Sequence, residues 1–341
     1  MKVKITLLIC ALIGLAFKGS EFINFSYPSY FPAPVYKSAD NTLSAEKIEL
    51  GRLLFYDPIL SKDNSVSCAS CHSPYNAFAH TDHDLSHGID DSIGTRNAPA
   101  LFNLAWQNSF MWDGAIHNLD MQALAPVSHS KEMAETLENV LSKLNANQFY
   151  REAFYNAWKD SLATGEHFLK AIAQFQLTLV STDSKYDKVQ TGKEAFSFQE
   201  KEGLEVFNQH CNSCHQAPLF STYEFANNGL PLDSTLNDFG RYGITQNPED
   251  SLKFKIPSLR NLSYTYPYMH DGRFSTLHEV VNHYNTLIGS ETSEEHLSEP
   301  LNLTSKNKAD LVSFLLTLND ETFVFNPENK YPSKLLEANK K

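Results

Sequence analysis

The sequence predicts a mainly α protein built from two tandem, homologous halves, and three observations carry that reading. Apolar residues recur at helical spacing, whereas strand-like alternation is scarce. A short motif is written twice, as CASCH at 68–72 and CNSCH at 211–215. Each copy is followed by a matching segment, APALFNLAWQNSFMWDG (98–114) and IPSLRNLSYTYPYMHDG (256–272), and the two align without a gap. That register pairs Pro99 with Pro257, Leu101 with Leu259, Asn103 with Asn261, Met111 with Met269 and Gly114 with Gly272, and it persists to Leu119 and Leu277. Two motifs with two matching segments mean that a whole structural unit is duplicated. Within the repeat, Trp112 of the first copy becomes His270 in the second.

The 341 residues, 42% apolar and 20% charged, suffice for two ordinary domains with buried cores. A formal charge of -12 argues against a nucleic-acid partner, because phosphate-binding modules usually carry a basic face.

The elements follow in order. Residues 1–20 open with Lys2 and Lys4 and an apolar run from Ile5 to Phe17, shorter than a bilayer-spanning helix and typical of a secretory signal. Export to the periplasm is expected, with Gly14 and Ala16 suiting cleavage after Ala16 and an uncleaved anchor as the alternative. Cys10 lies inside this run, so four cysteines remain after its removal. Residues 21–43 form an extension. The first domain is expected at 44–190, opening with Ser44 as the cap of the helix SAEKIELGRLLF. GEHFLKAIAQFQLTLV (165–180) reads as a long buried helix. Tyr186–Ala195 is the best boundary, and the second domain is expected at 191–325. A capping box from Ser197 to Glu200 starts the helix that runs into the second motif. TSKNKADLVSFLLTL (304–318) places Leu311, Val312, Leu315 and Leu316 on one stripe, and residues 326–341 read as a polar tail. KEMAETLENVLSKL (131–144) reads as a further helix, with Glu132 in its favourably charged first turn.

C-x-x-C-H is the attachment pattern of c-type haem. Two cysteines three residues apart share one helical face, so both can form thioethers to the haem vinyl groups while the next residue supplies an axial nitrogen to iron. The expected attachments are Cys68 and Cys71 with proximal His72, and Cys211 and Cys214 with proximal His215. A four-cysteine zinc site has no need for a histidine after each pair. Disulfides would make both histidines coincidental, and a thioredoxin-type pair lacks its βαβ context. The architecture expected is therefore two cytochrome c-like domains, each with one covalent haem.

These motifs, with TRNAPALFN, MWDG followed by QALAP and KEM, then IPSLRN, PYMHDG and DLVSFLLTL, resemble the bacterial di-haem cytochrome c peroxidases. The same pattern is shared by their relative, the di-haem enzyme that matures tryptophan tryptophylquinone. The resemblance runs from about Ser44 to Phe325. It implies that Glu132 is the distal acid–base residue, that Gln122 is the distal glutamine and that Trp112 lies between the haems and assists electron transfer. It also implies a calcium ion between the domains, held by the Asn97 side chain and the Thr265 and Pro267 carbonyls, oxygen donors that suit this metal. Dimers are common in the family.

The sixth iron ligands depart from the family pattern. Many members have a loop histidine after the first motif; here His80, His83 and His87 are offered, and His87 lies nearest the expected position. At the second haem, Tyr284 occupies the place of the usual methionine, as in the quinone-maturing relative, with Met269 and His283 as alternatives. A phenolate ligand would lower that haem's potential relative to methionine.

The expected activity is reduction of hydrogen peroxide to water, with electrons from a small cytochrome or copper protein entering at the second haem. Two alternatives stay open: an oxidase of a protein substrate, and a non-catalytic di-haem electron carrier.

Overall fold

The computed structural model describes residues 23–286, 297 and 299–338. The expected signal or anchor at 1–20, with Cys10, lies outside the described residues. Among those described, no helix is long and apolar enough to cross a membrane.

The chain is mainly helical, and its core is organised around two crossed helix pairs. In the first, α1 (Ala45–Tyr56) packs on α2 (Gly165–Leu177). Ser44 caps α1 by accepting the Lys47 N–H at 3.3 Å, satisfying a donor that has no partner within the helix. α2 is buried from Phe168 to Leu177 except at Lys170, as a helix at the centre of a core requires. The two backbones touch at Gly51, where a Cβ would stand 1.9 Å from the Ala171 carbonyl oxygen.

The second pair repeats this design. α3 (Phe198–His210) opens with the expected capping box, Ser197 and Glu200 exchanging hydrogen bonds. It packs on α5 (Ser305–Leu316), and here Gly203 permits the contact, since its Cβ would stand 1.9 Å from the Asp310 carbonyl oxygen. Between them in sequence lies α4 (Leu277–Thr286). Strand structure among the described residues is one short antiparallel pair, β1 (Phe225–Ala226) with β2 (Phe254–Lys255).

Buried apolar side chains fall into two clusters. One gathers residues from Phe31 to Leu179 and also takes in Leu219, Tyr223, Phe323, Val324 and Leu335; the other runs from Tyr186 to Leu318.

Four details differ from the sequence reading. On α5 the buried stripe is Leu311, Phe314 and Leu315, while Leu316 is exposed, because the close approach at Gly203 turns the Phe314 side of the helix inward. The segment 131–136 is a series of turns, and its helix starts only at Leu137, capped by Thr136. Glu132 therefore does not sit in a first helical turn. The expected boundary at Tyr186–Ala195 begins with ordered structure, Lys185–Gln190 being helical and Asp187 gripped by the fully buried Arg260 at 2.7 and 2.8 Å, whereas residues 191–195 are exposed and non-helical. Residues after Phe325 return to α1. Leu335 enters the first core, the Tyr56 hydroxyl donates to the Asn329 carbonyl, and Arg52 donates to that of Glu328 at 3.2 Å.

Candidate haem sites and the path between them

At the first motif a single helical turn, Cys68–Cys71, presents both thiols, and its last turn closes when the His72 N–H donates to the Cys68 carbonyl at 3.0 Å. His72 Nδ1 donates to the Phe78 carbonyl at 2.7 Å, which leaves Nε2 with a free lone pair. Burial pushes this imidazole down to about 4, the hydrogen bond to Phe78 working against that, so it is neutral at physiological pH. The second motif repeats the arrangement: His215 Nδ1 is shared between the Phe220 and Pro257 carbonyls, each at 3.2 Å, and burial again pushes the ring down to about 4. The cysteines of both motifs are free thiols. Paired thiols beside a neutral imidazole with Nε2 available form a donor set that fits a covalently tethered haem. A zinc site fits less well, because the two cysteine pairs lie in different cores.

Against the first motif the fold brings Glu132. Its charge helps raise the Cys71 thiol to about 11, after burial, and also acts on Cys68. Burial raises the Glu132 carboxyl above its ordinary value, and His129, with Nδ1 at 3.4 Å, pulls the other way. The Glu132 carbonyl accepts the Ile89 N–H at 2.9 Å, and the His87 carbonyl accepts from Cys71 Sγ at 3.6 Å. The 83–91 loop is thus fastened to the motif and to Glu132 together. The His87 ring is engaged elsewhere: Nδ1 meets Asp91 at 2.6 Å, and the ring stacks on His83 at 4.4 Å.

Gln122 is buried and is held by Gln176 of α2, whose Nε2 donates to the Gln122 Oε1 at 2.9 Å. The Gln122 amide nitrogen is left with only the weak acceptor Met111 Sδ at 3.9 Å. Sequence reasoning missed Gln176; the signal was a pair of glutamines, Gln174 and Gln176, in the otherwise apolar run 171–177.

At the second motif the three proposed ligands converge on one residue that the sequence did not single out. Asn228 donates to Met269 Sδ at 3.4 Å, its carbonyl accepts from His283 Nε2 at 2.9 Å, and its side chain hydrogen-bonds to Tyr284. The Tyr284 phenol is raised by burial and then by the charge of Cys211, with Cys214 adding to it.

Trp112 is half-buried, with its Nε1 donating to the Asn97 carbonyl at 2.9 Å and its own carbonyl accepting the Lys255 N–H at 2.7 Å. Asn97 reaches the other copy of the turn by donating its N–H to the His270 carbonyl at 2.7 Å, and its Nδ2 donates to Asp84, leaving Oδ1 for a cation. Thr265 and Pro267 belong to the same turn as His270, and neutral amide and carbonyl oxygens are donors of the kind calcium takes. Arg96 joins Asp113 at 2.6 Å to Asp238 at 2.6 and 2.9 Å.

Comparison with known proteins places this geometry. Residues 45–195 match the family model described as di-haem cytochrome c peroxidase. The chain is 33% identical to cytochrome-c peroxidase IdrP1 of Pseudomonas sp. (strain SCT), over 91% of this chain and 91% of that protein. It is 34% identical to cytochrome c551 peroxidase of Nitrosomonas europaea, over 85% and 83% of the two chains. Methylamine utilization protein MauG of Methylorubrum extorquens is equally similar, at 34% over 87% and 84%. Among solved structures, a MauG-like protein associated with microbial copper homeostasis superposes with a TM-score of 0.83 at 30% identity, covering 91% of this chain and 99% of that one. The di-haem peroxidase BthA of Burkholderia thailandensis shares the fold, with a TM-score of 0.72 at 22% identity over 85% and 91% of the chains.

Proposed function

The chain belongs to the di-haem cytochrome c peroxidase family, and from that premise we propose that it is a periplasmic peroxidase reducing hydrogen peroxide to water. Haem would be tethered at Cys68, Cys71 and His72 and at Cys211, Cys214 and His215, as two cytochrome c-like domains. When bound, the haem irons supply the peroxide-binding position and the electrons. The chain's own residues do the rest. His72 and His215 are oriented by their Nδ1–H donations, so that each offers Nε2 in a fixed direction. Glu132 takes the proton from the near oxygen of peroxide and returns it to the departing one. A raised carboxyl suits that exchange, because its two protonation states lie closer in energy. Gln122, with its carbonyl held by Gln176 and its amide nitrogen engaged only weakly by Met111, would orient the substrate through an N–H. Trp112 relays electrons from the second motif, where a small cytochrome or copper protein would dock, to the first. Tyr284 is the proposed sixth ligand of the second haem, and Asn97, Thr265 and Pro267 the proposed calcium site.

The observation that carries this reading is the placement of Glu132 against Cys68 and Cys71 but not against Cys211 and Cys214. An electron carrier has no use for an acid–base carboxyl on one side only. The similarity to MauG keeps a second reading, oxidation of a protein substrate, in which the same first site would be recharged by electrons from outside the chain. The test is to add peroxide to the holoprotein with and without a reduced cytochrome donor. Catalytic donor oxidation supports the peroxidase. Peroxide consumption without turnover of any such donor sinks it, and carbon monoxide failing to bind the half-reduced protein would favour the carrier.

A further inference from the structure

In the gap-free register of the repeat, Lys255 stands where the first copy has Asn97, and Gln107 and Ser109 stand where the second copy has Thr265 and Pro267. The fold uses these counterparts reciprocally. Asn97 donates its backbone N–H to the His270 carbonyl at 2.7 Å, and Lys255 donates its own to the Trp112 carbonyl at 2.7 Å. The same crossing is made once in each direction. At one crossing, Asn97 with the Thr265 and Pro267 carbonyls makes the proposed calcium site. At the other, the Lys255 Nζ donates to the Ser109 carbonyl, lies 3.5 Å from the Gln107 Oε1 and stands 5.6 Å from the centre of the Phe110 ring. The Lys255 amine therefore fills the place that corresponds to the proposed calcium site.

This side chain is costly to bury. Lys255 is 8% exposed, and burial pushes its amine down to about 7, with the Asp113 charge opposing that and Arg241 adding to it. It is fixed from its own side as well, since β2 pairs Lys255 with Phe225 of β1. Ser109 is buried too, so its carbonyl depends on this donor. We propose that Lys255 is a positioning residue for Trp112, whose amine, donating to the Ser109 carbonyl, clamps the 107–112 turn of the first half onto the second and so holds the indole in the proposed electron path. The inference rests on the proposed role of Trp112 between the haems.

The test uses the half-reduced holoprotein with carbon monoxide bound. A light flash releases the ligand, and the electron redistribution between the haems is followed by absorbance. Lys255→Met is expected to slow it by about tenfold to a hundredfold, the scale of a misplaced reacting group, with the resting haem spectra and carbon monoxide recombination unchanged. Lys255→Arg should recover most of the rate, and it keeps the test decisive if the Met variant does not fold. Trp112→Phe should be slow by itself, and adding Lys255→Met to it should change little, because two residues acting as one unit are not additive. A Trp112→Phe rate equal to wild type removes the role of Trp112. A slow Trp112→Phe beside a Lys255→Met at the wild-type rate, or slowing that multiplies in the double variant, overturns the inference about Lys255 alone.

Discussion

The two copies of the repeated turn, 98–114 and 256–272, show what duplication keeps and what it releases. Backbone geometry is kept. Asn103 and Asn261 take positive φ of 54° and 62°, Met111 and Met269 of 68° and 76°, and Gly114 and Gly272 of 75° and 72°. Each turn closes through one bridge, Phe110 with Ile116 and Tyr268 with Phe274. Each methionine sulfur accepts from a side-chain amide, of Gln122 in one half and Asn228 in the other. Side chains diverge where the halves meet other groups. Trp112 hydrogen-bonds to Asn97, while His270 stacks on Phe254 with ring centres 3.6 Å apart. Phe102, packed edge-on to Phe323, is matched by Arg260, which makes an ion pair with Asp187 and also donates to the Pro218 carbonyl. A shared backbone thus carries one half with the Glu132 carboxyl at its motif and one without it.

The sharpest way to break this comparison is at that carboxyl. Glu132→Gln should lower peroxide turnover by about 10²–10⁴-fold, the usual worth of a general acid–base group, with both haem spectra intact. Turnover within a fewfold of wild type would erase the asymmetry. Next in size is the Phe102/Arg260 position. Arg260→Ala strands the Asp187 carboxylate in the core and should cost about 3–5 kcal/mol in urea denaturation of the holoprotein.

The ion pair also has a pH signature. Burial opposes ionisation of Asp187, but the Arg260 hydrogen bonds and charge outweigh it and hold the carboxyl below its ordinary value. Its contribution is therefore complete above about pH 4 and is lost as acid carries the pH down through the lower folded value. Asp187→Asn should be less stable at neutral pH and show a shallower acid slope. An unchanged slope would mean that the pair is not what stabilises this half.

Gly51→Ala and Gly203→Ala sharpen the comparison from the conserved side. Each forces apart a helix pair in direct backbone contact, and each should cost about 1–3 kcal/mol, as overpacking does; very different losses would show that the two crossings are not equivalent. Smallest in energy is Tyr284→Phe, which should alter the low-spin absorption of one haem and leave folding stability nearly unchanged. An unaltered spectrum removes Tyr284 as a ligand.

Much of this was readable in the sequence because the features are local or repeated. The C-x-x-C-H spacing is set by one helical turn, the capping boxes by four consecutive residues, and the duplication by direct alignment. Glu132 was legible only through family resemblance. By local rules it looked like a residue of a helix start, and its position beside Cys71 depends on turns fastened by Ile89. Gln176, Asn228 and Lys255 carried no motif at all. Each matters through partners far away in the chain.

What the sequence determined by itself is the repeated C-x-x-C-H pattern, from which covalent haem attachment is proposed, and the twofold plan, since both follow from spacing and alignment that any fold of this chain must respect. What only the tertiary structure decided is the division of labour between the copies: which motif receives a carboxyl, which turn is clamped by a lysine, and which amide faces which sulfur. Those choices rest on contacts between residues tens to hundreds of positions apart, where burial strips away water and makes a single charge or hydrogen bond count for more than it does at the surface.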